Sequence, residues 1–204
     1  KNYFKKYAKL KRTADALEEI ILTTKAEADH LESIMVSLDL AQNQEDIAQI
    51  RRELAESGYI RQGAQGTGKR SGKKKASGDG TSSPLQFVSS DGFPMYVGKN
   101  NFQNEYLTFK LASGNDWWFH AKDIPGSHVI VICEGAALPD RTFEEAASLA
   151  AHFSKSGSDD KVEVQYTQKK NLKKPPAGKP GFVVFHTYYS MAASTDISCL
   201  TNVQ

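Results

Sequence analysis

Apolar residues recur along the first fifth of the chain in alternating steps of four and three. The series is Tyr3, Tyr7, Leu10, Ala14, Leu17, Ile21, Thr24, Ala28, Leu31, Met35 and Leu38. Only Thr24 is polar, and no Gly or Pro interrupts the run, so the pattern is a heptad seam over about five repeats. It predicts one continuous helix of roughly 40 residues, about 60 Å long. A second, shorter helix is expected in "NQEDIAQIRRELAESGYI", where Asn43 and Gln44 break the register, Ile47, Ile50 and Leu54 form an apolar stripe, and Gly58 is the stop. A seam this long needs a partner helix, and no segment of comparable length follows it. Either a second copy supplies the mate by self-association, or an upstream coiled-coil helix of a longer protein does.

From Pro84 the period changes. "LQFVSS" and "PMYVG" predict two strands around an Asp91-Gly92 turn. "NNFQNEYLTFKLAS" predicts a helix, where Asn100 with Gln103 resembles a capping pair and Phe102, Tyr106 and Phe109 lie on one face. "DWWFHA" and "HVIVIC" predict strands flanking an Asp-Ile-Pro-Gly-Ser turn, with Trp117 and Trp118 divided between core and outside. "RTFEEAASLAAHFSKSG" is the plainest helix: Thr142 and Glu145 are spaced as a capping box, Phe143, Ala147, Ala150 and Phe153 form the buried stripe, and Gly157 ends it. "KVEVQYTQ" and "GFVVFHTY" complete the strands, and the last residues carry no clear pattern. The fold class is α+β: a long coiled-coil arm, then a largely antiparallel sheet with at least two helices. The expected division is an arm over 1–60, a linker over 61–84, a compact domain over 85–190 and a tail over 191–204.

Charge changes this picture locally. The net charge is only +2, but residues 1–60 carry 9 basic and 11 acidic side chains, residues 85–204 carry 11 and 12, and residues 61–84 carry 6 and 1. The middle stretch, "RQGAQGTGKRSGKKKASGDGTSSP", is rich in Gly and Ser and has no large apolar residue, which predicts a flexible basic linker. Such a segment suits a polyanion, although a solubilising spacer has the same composition. The opening residues hold Lys1, Lys5, Lys6, Lys9, Lys11 and Arg12 without an acid, a charge that opposes the dipole of a true helix start and so points to part of a longer protein. No apolar run is long enough for a bilayer, and Cys133 and Cys199 have neither metal nor redox spacing, so a reducing, cytoplasmic setting with no membrane partner is expected.

The densest group of reactive side chains lies in "WFHAKDIPGSHVIV", Trp118 to Val131. Ser127 and His128 are adjacent on a strand and therefore face opposite ways, and no nucleophile elbow surrounds them, so catalysis is not expected. His120, Asp123 and His128 bracket one turn but match no metal signature, and neither a metal nor another cofactor is expected. Nucleic-acid binding fits better. Lys99, Asn100, Asn101, Gln103 and Asn104 crowd donors at a helix start, where backbone N–H groups favour phosphate. Lys169, Lys170, Lys173, Lys174 and Lys179 add a basic loop stiffened by prolines. With His120, Lys122, Asp123, Ser127 and His128 at the turn, they compose the expected RNA-facing surface, though each cluster would also serve as a solvated face.

The stretch "DGFPMYVGKNNFQNEYLTFKLASGNDWWFHAKDIPGSHVIV", continued in "VQYTQKKNLKKPPAGKPGFVVF", resembles the RNA-binding domain of the NFACT family, bacterial ribosome quality-control factors that also go by the name of fibronectin-binding proteins. The arm "YFKKYAKLKRTADALEEI" with "IRRELAESGYI" is similar to the coiled coil that precedes that domain. Trp117 stands where the family usually has an aliphatic residue, and the chain after "VVFHTYYS" departs from the family's ending. The resemblance implies binding to large ribosomal subunits blocked by peptidyl-tRNA, with rRNA and tRNA as partners. It implies recruitment of alanyl-tRNA for template-free alanine tailing. It also implies no enzyme activity in the factor, since the ribosome makes the peptide bond. The rival expectations are a fibronectin-binding surface adhesin, a hydrolase on the His120–His128 turn, and a dimerising coiled-coil module.

Overall fold

The computed structural model describes residues 2–61, 82–176 and 178–203. The expected basic linker falls almost wholly outside the described residues. Helix α1 runs unbroken over Asn2–Asp39 and α2 over Gln44–Glu56. Asn43 caps α2, its Oδ1 accepting the Asp46 N–H at 2.8 Å, and Gly58 follows the helix at φ +79°.

Both helices bury a different face from the one their apolar residues mark. In α1 the buried positions are His30, Ile34 and Ser37, with Val36, and each of the first three precedes a seam residue by one. In α2 they are Asp46, Gln49, Ile50 and Glu53, where Ile47, Ile50 and Leu54 were expected. One residue is about 100° around a helix, so the contacts lie on the flank of each apolar stripe. The seam stays open: Ile21 is 63% and Met35 65% exposed, and every described residue of α1 before His30 is exposed.

The second unit is a seven-stranded sheet in the order β6-β5-β3-β4-β2-β1-β7, with every ladder antiparallel. Its strands are β1 (Leu85–Val88), β2 (Pro94–Val97), β3 (Trp117–Ala121), β4 (Val129–Val131), β5 (Lys161–Gln168), β6 (Tyr189–Ser194) and β7 (Thr201–Asn202). Side-chain alternation sends Met95, Val97, Phe119, Val129, Val131 and Val164 to one face, where α4 (Asp140–His152) covers them with Ala146, Ala147, Leu149 and Ala150. The other face carries Trp118 and Ile130 against Leu107, Ala112 and Leu172. Both faces are thus covered at the centre, which is why β4 is buried at all three positions. Each fully buried Val or Ile there contributes about 1.5–3 kcal/mol. The two tryptophans divide between opposite cores, with Trp117 edge-on to Phe143 at 4.8 Å, so neither is given up to solvent.

Three local expectations are corrected. "GFVVFHTY" forms no strand; it contributes only a single bridge, Lys173 to Val184, because its apolar residues plug the second core rather than extend the sheet. The stretch 191–204 is not a patternless tail: β6 completes the edge beside β5, and β7 pairs with β1. Thr142 and Glu145 do not cap α4, whose N-cap is Pro139. One turn into the helix, they brace the β1–β2 turn: Thr142 Oγ1 donates to Asp91 Oδ2 at 2.8 Å, and Glu145 accepts the Ser90 N–H at 2.8 Å.

Candidate nucleic-acid interface

The helix that follows β2, α3 (Asn101–Tyr106), is where the largest correction falls. Its polar N-terminus was expected to face RNA. The structure turns it onto the arm. Lys99 lies 2.8 Å from Asp46, Asn100 Nδ2 donates to Gln49 Oε1 at 2.7 Å, and Asn101 Nδ2 donates to Glu53 Oε1 and Ser33 Oγ, both at 2.8 Å. Gln103 donates to the Ser82 carbonyl at 2.9 Å and accepts the Lys99 N–H at 3.0 Å. Asn104 turns inward, its Oδ1 accepting the His128 N–H at 3.0 Å. A Cβ at Gly98 would stand 2.1 Å from that oxygen, so only glycine lets the β2 end pass there. All five side chains are buried. Lys99, Asn100, Asn101 and Gln103 match polar residues of the arm and Ser82, and Asn104 meets the His128 N–H, since each would otherwise lose its hydrogen bonds to water.

The same junction includes groups that periodicity did not single out. His30 Nε2 lies 2.9 Å from Glu53 Oε1, and Lys179 Nζ donates to His30 Nδ1 at 3.1 Å and to the Tyr59 hydroxyl. Lys179, expected on the RNA-facing loop, is therefore committed to the arm, and its ammonium also sits 4.7 Å from the Tyr59 ring centroid. The only sequence signal was Asp46, Gln49 and Glu53 at helical spacing, which also describes a solvated face.

Above this junction opens a cleft of about 420 Å³. Its walls come from Trp118, His120 and His128 on the sheet, the 123–126 turn, the 181–185 segment, and Lys25 and Asp29 of α1. Asp123 holds the turn at φ +56°, in the left-handed region that Asp tolerates better than most residues. The rings form a compact group: His120 stacks on Trp118 at 5.6 Å, and His128 is edge-on to Trp118 at 5.2 Å and to His120 at 5.4 Å. His128 Nδ1 pairs with Thr108 Oγ1 at 2.7 Å. Desolvation at the cleft wall pushes the half-buried His120 imidazole down to about 4, against ring hydrogen bonds to the Gly126 and Ala121 backbone that raise it. Burial, then the neighbouring His120, holds His128 well below its ordinary value. Both rings are uncharged at neutral pH and offer RNA no cationic contact. Ser127 does not line the cleft; its N–H donates to the Phe153 carbonyl at 2.9 Å beside α4. Lys122 is drawn to Glu163 at 2.8 Å, and that hydrogen bond raises its pKa. Among the described residues no group of three His, Cys, Asp or Glu is placed to hold a metal, and no helix is long and apolar enough to cross a membrane.

The basic loop keeps free charge. Lys169 and Lys170 stand on a short 3-10 turn (Lys169–Asn171), anchored by backbone bonds from Lys169 N to Asp116 O and Lys170 N to Gly114 O, both 2.9 Å. Lys170 and Lys173 are exposed, Lys169 is half-buried, and none of the three has an ion pair among the described residues. Lys174 is also exposed but lies 2.7 Å from Glu105. Of the expected RNA-facing residues, three lysines therefore remain uncommitted.

Residues 84–187, which hold β1 to β5, α4, the sheet side of the cleft and the basic loop, match the family described as the NFACT protein RNA binding domain. The chain belongs to the NFACT family. Residues 1–75 match its N-terminal and middle domains, which places α1 and α2 in the same architecture. Among NFACT relatives, the chain is 42% identical over 196 residues to the Rqc2 homolog RqcH of Streptococcus pneumoniae serotype 2, covering 95% of this chain and 33% of that protein. It is 37% identical over 196 residues to the Rqc2 homolog RqcH of Bacillus subtilis, covering 95% and 32%. The chain thus spans about one third of the length of these curated relatives. The solved C-terminal of the fibronectin/fibrinogen-binding protein from Streptococcus suis has the same fold, with a TM-score of 0.80 at 38% identity, covering 96% of this chain and 74% of that one.

Proposed function

We propose that this chain supplies RNA contacts to a ribosome quality-control factor of the NFACT family. In this reading the factor works in the cytoplasm. It binds large ribosomal subunits obstructed by peptidyl-tRNA and helps recruit alanyl-tRNA for template-free alanine tailing. The chain itself binds and positions and carries out no chemistry. One observation carries the reading: in a domain that matches the NFACT RNA-binding family, Lys169, Lys170 and Lys173 are held on an anchored loop and spend their charge on no partner among the described residues. Unpaired ammonium groups on an ordered loop suit a phosphate backbone.

Co-sedimentation of the chain with purified large subunits tests it, with sequencing of any tRNA that comes down from stalled complexes. Subunit binding that weakens when the three lysines are neutralised supports the proposal; no binding to subunits or rRNA removes it. The name of the Streptococcus suis neighbour favours a second reading, fibronectin or fibrinogen binding. Saturable fibronectin binding at physiological salt, without ribosome co-sedimentation, would put that reading first.

A further inference from the structure

The cleft beside the basic loop has no role in the contacts described so far. Its polar and apolar parts are unlike those of a phosphate site. The charged side chains on its walls are Lys25, Asp29 and Asp123, one positive and two negative, and both imidazoles are uncharged. A phosphate would meet net negative charge there. A flat, neutral group would instead meet Trp118, Phe182, Val183 and Phe185, together with the turn carrying Ile124 and Pro125. Two hydrogen-bonding groups on these walls are unspent among the described residues. The Gln165 side chain, opposite His120 in the β3–β5 ladder, makes no hydrogen bond, and the buried Trp118 indole N–H has no acceptor. An unmet buried donor is uncommon enough to call for a ligand or a reason.

The basic loop and this cleft share a wall. Lys173 exchanges backbone hydrogen bonds with Val184 at 2.9 and 2.8 Å, and the residues on either side of Val184, Val183 and Phe185, line the cleft. A strand whose phosphates lie on Lys170 and Lys173 would pass the mouth of an aromatic slot with no net positive charge. We propose that the cleft takes one unpaired RNA base, turned out of its strand, stacked on the aromatic wall and met at its edge by the Gln165 amide. Bases splayed from single-stranded RNA are recognised in this way, by stacking and edge hydrogen bonds. The proposal rests on the RNA-binding reading and adds a specific acceptor to it.

The test compares the whole 204-residue chain on a short single-stranded RNA, on the same strand made abasic throughout, and on a fully paired hairpin. The lysines see phosphate in all three, whereas the cleft sees a free base only in the first. Binding about tenfold weaker to the abasic strand is expected, together with photo-cross-links from thiouridine to peptides holding Trp118, His120 or Phe182. Gln165→Ala should weaken binding to the first strand and leave binding to the abasic strand unchanged. Equal affinity for the normal and abasic strands, or cross-links confined to residues 169–174, would overturn the cleft while leaving RNA binding intact. No binding to any of the three would overturn both. The wild-type comparisons do not depend on any variant folding.

Discussion

Lys99 Nζ lies 2.8 Å from Asp46 Oδ1 and 3.0 Å from Oδ2, with Lys99 4% and Asp46 1% exposed. This ion pair joins the turn between β2 and α3 to the second helix of the arm, 53 residues away in sequence. Removing one partner strands the other in a dry interface, which costs about 3–5 kcal/mol. Lys99→Met and Asp46→Asn should each lower stability by that order in urea unfolding, and the double variant should lose less than the sum. Additive losses would show that the pair is not coupled.

The same carboxylate sets an acid limit. Burial alone would raise the Asp46 pKa, but hydrogen bonds from Lys99, Ser82 and the Gln42 N–H outweigh it and bring the value below normal. A depressed carboxylate stabilises the fold above its unfolded value, about 3.9, and that contribution disappears as pH falls through the lower folded value. Acid unfolding followed by circular dichroism should therefore be less steep below about pH 4 in Asp46→Asn than in wild type.

His128, buried, and His120, half-buried on the cleft wall, act at higher pH and with their own sign. The unfolded chain takes up a proton on each imidazole below about pH 6.5, while folded His120 resists until about 4. Stability should therefore fall as pH drops from about 6.5 towards 4, by at most about 1.4 kcal/mol per pH unit for each histidine. His120→Gln should flatten the profile by one histidine's share. RNA affinity should stay level from about pH 8 to 7, because neither ring is charged there.

For the basic loop the readout is salt. Each lysine that contacts a phosphate of single-stranded RNA adds about 0.7 to the slope of log affinity against log salt. Lys170→Ala and Lys173→Ala should each remove about that much. Lys174→Ala should remove less, because Glu105 already neutralises it at 2.7 Å. A slope unchanged in the double Lys170, Lys173 variant would place the RNA elsewhere.

The open seam predicts association. Leu10, Leu17, Ile21 and Met35 remain exposed along α1, and apolar stripes of this length pair when a mate is at hand. Sedimentation equilibrium should show a mass that rises with concentration, and Leu17→Glu with Ile21→Glu should return it to a monomer. A constant monomer mass in wild type would refute self-association.

The sequence by itself determined the elements whose signals are local. The heptad run kept α1 unbroken to Asp39, Asn100 marked a helix start, and Asp91-Gly92 marked the first hairpin, because capping and turn geometry depend on residues three or four apart. Alternation at the start of β5 was equally legible, since it records which face of a strand is buried. What only the tertiary structure decided was which polar residues are spent inside the protein. Lys99, Asn100, Asn101 and Gln103 look like a phosphate site in one dimension, but Asp46, Gln49, Glu53 and Ser82 come to meet them from another part of the chain. Both helices of the arm turned by one residue for the same reason: a polar line that finds partners can be buried, and the apolar stripe beside it is left without a mate among the described residues. The cleft likewise belongs to no single stretch, because its walls come from α1, the sheet and the 181–185 segment, and only folding brings them together.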